Sequence, residues 1–291
     1  MRNQQQMMDL IMQFAEQDER VRVVAMNGSR VNSKVPVDIF QDYDIVYLVT
    51  DVQSFIEDCD WTDYFGEKII IQMPDAMGDS LEDNDGRFAY LMLLADGNRI
   101  DLRLFPLSLQ ATYIHEDKLI DVLLDKDQRM PELLPPTDED YHITSPTAQQ
   151  YANCCNEFWW VSTYAAKGLW RQEMIYVLDH LHLYIRPMVL QMLTWQVGID
   201  TAFKVSIGKN YKYLQSFLEP SVWTQLLATY PTADEEKIWQ ALDVMMDLFR
   251  QTACDVAKQM NFKYDTVQDQ KVRTYMQHIR YLSPEAQDFD L

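Results

Sequence analysis

The sequence predicts an α/β (α+β) chain in two parts, a mixed-sheet half over residues 1–135 and an all-helical half over 136–291. Three observations carry this. Short apolar runs with strand-like alternation, bounded by Gly, Pro and Asp, recur through the first half. A proline- and acid-rich stretch, PELLPPTDEDYHITSP at 131–146, follows them and has the composition of a domain boundary. Beyond it, apolar residues return at helical spacing almost to the C-terminus.

In order along the chain, Met7, Met8, Ile11, Phe14 and Ala15 share one face of an amphipathic first helix. VRVVAM at 21–26 is a short strand, broken by NGSR at 27–30, and a loop leads to the next strand, Ile45 to Val49. DVQSFIEDCDWTDYFG is a helix and its exit, with Phe55, Ile56 and Cys59 on one side; KIIIQMP is a strand stopped by Pro74. A polar loop at 75–86 precedes RFAYLMLLADGNRIDLRLFP, a hairpin turning at Asp96-Gly97. The second half opens with a helix ending at Gly168. A long apolar helix follows, kinked or divided at Pro187, and then helices near 220–229, 233–259 and 266–282.

The bulk numbers exclude whole classes. Apolar residues make up 47% of the 291, which rules out disorder. With 25 basic and 45 acidic residues, the net charge of −20 argues against nucleic acid and suits a cationic small molecule. The four cysteines lack metal-ligand spacing and read as reduced thiols of a cytoplasmic protein. The N-terminus has no signal-peptide pattern, and no apolar run reaches membrane-spanning length. Monomer and homodimer both remain open.

The chemistry gathers in QDYDIVYLV at 41–49. Strand period two puts Asp42 and Asp44 on the same face. Like charges held close raise a pKa unless a cation sits between them; the ordinary alternative is a solvated turn. Gly28-Ser29 directly follows a strand, where backbone N–H groups and the Ser29 hydroxyl can hold phosphate oxygens. Asp101 sits inside a later strand, a costly position for an unpaired charge; an ion pair with Arg103, on the same face, is its ordinary explanation. Three converging carboxylates suit Mg²⁺, which takes oxygen ligands at about 2.1 Å, and suit phosphoryl chemistry.

These spacings resemble the nucleotidyltransferase superfamily typified by DNA polymerase beta. MNGSRVN, FQDYDIVYLVTDV, GNRIDLRLFP and NEFWWVSTYAAKGLWRQE resemble more closely the aminoglycoside 6-adenylyltransferases, also called streptomycin adenylyltransferases, over nearly the whole chain. The resemblance implies a polymerase-beta-like N-terminal domain and a helical substrate-binding domain. It implies that Gly28 and Ser29 form the phosphate loop and that Asp42, Asp44 and Asp101 are the Mg²⁺ ligands. The implied reaction moves AMP from ATP to the 6-hydroxyl of streptomycin and releases pyrophosphate, conferring antibiotic resistance. The alternatives are the same fold acting on a different aminoglycoside or other hydroxyl acceptor, or a catalytically silent nucleotide-binding module.

An anionic triphosphate also needs cations. Arg30, Lys34, Lys167, Arg171, Lys209 and Lys212 are the candidates, each weighed against an ordinary solvated surface role. Asp179 lies in the apolar run IYVLDHLHLYI, where a desolvated carboxylate serves as general base or guanidinium ligand, or pairs structurally with Arg186. His180 and His182 read as packing residues. Glu157 with Trp159 and Trp160 is a further acceptor patch, although adjacent tryptophans cannot both face one pocket, so one belongs to the core.

Overall fold

The computed structural model describes residues 1–77 and 85–289, and the chain divides into two units, Met1–Asp140 and Tyr141–Leu291. Most of the polar loop expected at 75–86 lies outside the described residues.

In the first unit, β1 (Val21–Asn27), β2 (Tyr43–Val49), β3 (Lys68–Gln72), β4 (Phe88–Leu94), β5 (Arg99–Pro106) and β6 (Ile120–Asp125) form one mixed sheet. The order is β3-β4-β5-β2-β1-β6. Neighbours pair antiparallel except β2 and β5, which run parallel. The first helix, α1 (Gln4–Gln17), starts at a capping box between Asn3 and Gln6. It buries Met7, Ile11, Phe14 and Ala15 against one sheet face, beside Val24, Tyr47 and Leu102. The opposite face packs Val23, Ala25, Val46, Leu48 and Phe105 against Tyr113 and Ile120. A strand covered on both faces needs a continuous apolar run, which is why IVYLV shows no alternation. The next helix, α2 (Gln53–Glu57), buries Phe55 but stops short of Cys59. Contrary to the sequence reading, Cys59 is exposed, because it opens a 3₁₀ turn whose inward residues are Thr62 and Phe65. A short α3 (Gln110–Glu116) and β6 complete the unit.

The second unit contains α4 (Ala148–Trp170), α5 (Met174–His180), α6 (Arg186–Asp200), α7 (Pro220–Ala228), α8 (Glu235–Met260) and α9 (Thr266–Tyr281). Gly168 does not end α4, which continues to Trp170. Its role is steric: a Cβ there would lie 2.6 Å from Val177 Cγ2, so the missing side chain lets α5 approach α4. The division expected at Pro187 is real. A π-helical turn, Leu181–Ile185, separates α5 from α6, and Pro187 occupies the first turn of α6, where its missing N–H costs nothing. Phe158 stacks on Phe249 at 3.8 Å within the core.

Below that stack, Asp269 is fully buried. Arg250 grips both its oxygens, Arg273 Nε donates to Oδ1 at 3.0 Å, and the Tyr264 hydroxyl donates to Oδ2 at 2.9 Å. Trp159 Nε1 in turn donates to that hydroxyl at 3.1 Å. The network ties α4, α8 and α9 together. Among the described residues no helix is long and apolar enough to cross a membrane.

Candidate active site

The site begins where β1 ends. Asn27 is buried; its Nδ2 donates to the Leu119 carbonyl at 3.0 Å, and its Oδ1 accepts from the Tyr113 hydroxyl at 2.7 Å. The chain then turns through a short 3₁₀ segment, Gly28–Arg30. Gly28 has φ +71°, and a Cβ on it would fall 2.1 Å from Asp44 Oδ2. Only glycine permits both this backbone conformation and this approach. The turn is fastened to the segment before β2. Arg30 donates from Nε to the Asp42 carbonyl at 3.0 Å and from Nη2 to the Gln41 carbonyl at 2.7 Å, and stacks 3.7 Å above the Tyr43 ring. Arg30, a phosphate candidate in the sequence, thus holds the Asp42 backbone through Nε and Gln41 through Nη2.

The parallel register places Asp44 level with Asp101. Burial, then the Asp101 and Asp42 charges, push the Asp44 carboxyl up to about 6. Arg103 and Arg99 pull the other way without cancelling this. The ion pair foreseen between Asp101 and Arg103 is made by Arg99 instead. Its Nε and Nη2 donate to the two Asp101 oxygens at 2.7 Å each, and its Nη1 lies 3.7 Å from Asp42 Oδ2. Arg99 and Arg103 are both two positions from Asp101, so strand parity alone could have nominated either.

Carboxylate oxygens are the hard donors Mg²⁺ prefers, and the repulsion felt at Asp44 is of the kind a cation relieves. The donor set therefore fits the metal in kind. The expected convergence is incomplete, however: among the described residues no three acidic, His or Cys side chains close into a metal cage. The Arg99 guanidinium takes up the Asp101 oxygens that would turn inward.

The remaining candidates are scattered. Lys34 pairs with the buried Asp138 at 2.6 Å. Lys167 Nζ sits 4.7 Å above the Tyr164 ring and, with Arg171, lines a cavity of about 240 Å³ beside Trp170 and Tyr275. Lys209 and Lys212 are exposed around a 3₁₀ turn. Asp179 is not desolvated: it projects from α5 into solvent. Arg186 does not pair with it, bonding instead to His182 and to the Thr229 hydroxyl and carbonyl. His182 is pushed below its ordinary value by burial and by Arg186, with Asp179 opposing. Trp159 is core, whereas Trp160 is 60% exposed and donates to the Tyr164 hydroxyl. Glu157 is exposed one helical turn before it. His180 packs between Tyr164, Tyr176 and Tyr184. The exposed faces of α4 and α5 thus meet in an aromatic surface bearing Glu157 and Asp179.

A glycine turn pressed onto one member of an Asp-x-Asp pair, with a third aspartate level on the adjoining parallel strand, serves the movement of nucleotidyl groups; the chain is a nucleotidyltransferase. The profile of one family, streptomycin adenylyltransferase, matches residues 1–279, and the chain belongs to that family. An aminoglycoside 6-adenylyltransferase of Campylobacter jejuni is 40% identical over 276 residues, 95% of each chain. Another, from Bacillus subtilis (strain 168), is 41% identical over 265 residues, covering 91% of this chain and 93% of the relative. A crystal structure of an aminoglycoside 6-adenyltransferase from Bacillus subtilis aligns with TM-score 0.49 at 36% identity, over 97% of this chain and 100% of that one.

Proposed function

We propose that the protein transfers AMP from ATP to the 6-hydroxyl of streptomycin, with Mg²⁺ held by Asp42, Asp44 and Asp101. The level placement of Asp44 and Asp101, with Gly28 packed on Asp44, carries this reading. The acceptor oxygen bonds to the α-phosphorus, the bond from that phosphorus to the α–β bridging oxygen breaks, and pyrophosphate leaves. The acceptor hydroxyl's proton passes to solvent water. When bound, Mg²⁺ neutralises charge on the transferring group and lowers the pKa of the attacking hydroxyl.

The chain's own residues do the rest. The Gly28-Ser29 turn offers backbone N–H groups and a hydroxyl to phosphate oxygens. Arg30 fixes the Asp42 backbone on which the metal site depends. Asp44, its carboxyl raised to about 6, is ionised at neutral pH and would present a carboxylate oxygen to the metal. Glu157, Trp160 and Asp179 receive the guanidinium groups of the acceptor through charge and ring-face attraction. Solvent exposure suits Asp179 to this better than to a desolvated base.

Mass spectrometry of streptomycin incubated with ATP, Mg²⁺ and the protein tests the proposal. One AMP is expected at the 6-hydroxyl, accumulating about 10³-fold or more slowly with Asp44→Asn. Adenylylation of a different aminoglycoside, with streptomycin untouched, overturns the acceptor assignment. Adduct formation at an undiminished rate in Asp44→Asn overturns the metal assignment.

A further inference from the structure

One cation stands inside the carboxylate cluster. Because Tyr43 is level with Ile100 and Asp44 with Asp101, the residues before them, Asp42 and Arg99, are neighbours across β2 and β5. Arg99 spans the two acids, both oxygens of Asp101 at 2.7 Å and Asp42 Oδ2 at 3.7 Å. A bidentate guanidinium–carboxylate pair is a strong, directional contact, and here it occupies oxygens that a divalent cation needs.

The far side of Arg99 is open. Its side chain is 45% exposed and lines a cavity of about 770 Å³ walled by Ile70, Leu91, Leu93 and Met73. The guanidinium has room to leave the acids without displacing the core. Arg103, on the same strand face, makes no ion pair among the described residues; its guanidinium lies 6.0 Å from the Phe105 ring. The pairing is therefore particular to Arg99 and not a general consequence of basic residues on β5.

We propose that Arg99 is a built-in counter-cation: it keeps Asp101 and Asp42 paired when no divalent ion is bound, and a divalent ion binds by displacing its guanidinium toward the cavity. It is a positioning residue, acting on the reaction through the carboxylates. The proposal rests on the reading of Asp42, Asp44 and Asp101 as metal ligands.

Mn²⁺ titration followed by electron spin resonance, on the full chain without nucleotide, tests it. Arg99→Gln removes the competitor and should bind Mn²⁺ about tenfold more tightly than the unaltered protein. Arg103→Gln removes a charge that acts on Asp44 at a distance but makes no ion pair with the acids, and should stay within about threefold. Equal or weaker binding by Arg99→Gln, or equal tightening by Arg103→Gln, overturns the proposal. A second readout needs no variant: Mg²⁺ should shift the Arg99 Nε–H resonance of the unaltered protein, and a resonance unmoved at saturation also overturns it. Asp44→Asn separates the two layers of the argument. If it abolishes Mn²⁺ binding while Arg99→Gln has no effect, only the counter-cation role fails. If Mn²⁺ binding survives Asp44→Asn, the metal-ligand reading itself fails.

Discussion

Asp269 in the helical unit is fully buried and Asp44 in the sheet unit partly so, and the protein treats them in opposite ways. Asp269 receives two arginines and a tyrosine hydroxyl, which settles a buried charge within the chain. Asp44 instead faces two further carboxylates and its carboxyl is pushed up to about 6. A buried acid supplied with cations holds helices together. A partly buried acid whose neighbouring carboxylates outweigh Arg103 and Arg99 stores repulsion that a further cation relieves, and that is a sign of function.

The sharpest way to break the contrast is Asp44→Asn. Turnover should fall by about 10³-fold or more, because a metal ligand is lost and not one hydrogen bond, while the metal-free protein melts no lower at pH 7.5. Steady-state kinetics beside thermal melting reads both; normal turnover would erase the distinction. Asp269→Asn should do the reverse. It leaves Arg250 and Arg273 facing a neutral group and should cost about 3 kcal/mol in urea unfolding, at the low end for a broken buried pair because Arg250 is 37% exposed. Turnover per folded molecule should stay normal.

A pH series sharpens the comparison further. A folded-state pKa of about 6 against the usual 3.8 means the native protein binds the Asp44 proton more tightly than the unfolded chain does. The metal-free protein therefore loses stability from this group as pH rises from 3.8 to about 6. The stability gap between Asp44→Asn and the unaltered protein should open across that window, to roughly 2–3 kcal/mol in favour of the variant. Other carboxylates titrate there too, so the difference between the two proteins is the quantity to follow. Gly28→Ala should have the smallest effect. Its Cβ pushes the Asp44 carboxylate aside, and a displacement near 1 Å at a reacting centre lowers turnover by about 10²-fold or less. Turnover unchanged in Gly28→Ala would mean that the Gly28–Asp44 approach is incidental.

Asp101 stood out in the sequence as a charge inside an apolar strand, and strand parity put Asp42 and Asp44 on one face, because period two assigns faces without tertiary information. Parity could not choose between Arg99 and Arg103, both on the Asp101 face. The contact of Gly28 with Asp44 was visible only as a turn, since two strands must pair before the turn meets the acid. Asp179 was misread for a different reason. Its apolar surroundings suggest burial, yet only Val177, Leu181 and Ile185 of that run are buried, with Leu178 packed partly against them, while Ile175, Tyr176, Leu183 and Tyr184 are exposed. Composition does not separate an exposed aromatic face from a buried one. Gly168 read as a stop because glycine often ends helices, but here its small size serves the packing of α5. The edge strand β6 escaped notice because IDVLLD lacks alternation and its pairing with β1 contains a bulge.

β2 and β5 form the one parallel pair among the described strands, and the residues they bring level, 44 and 101, are distant in the chain. No hairpin can close a parallel pair, and contacts between distant segments form late in folding. The helical unit also joins distant segments, α4 to α9 and α6 to α8, but none of them carries the three aspartates. On the proposed reading, alignment of these two strands is what brings Asp44 beside Asp101, so activity would report that this long-range pairing has formed.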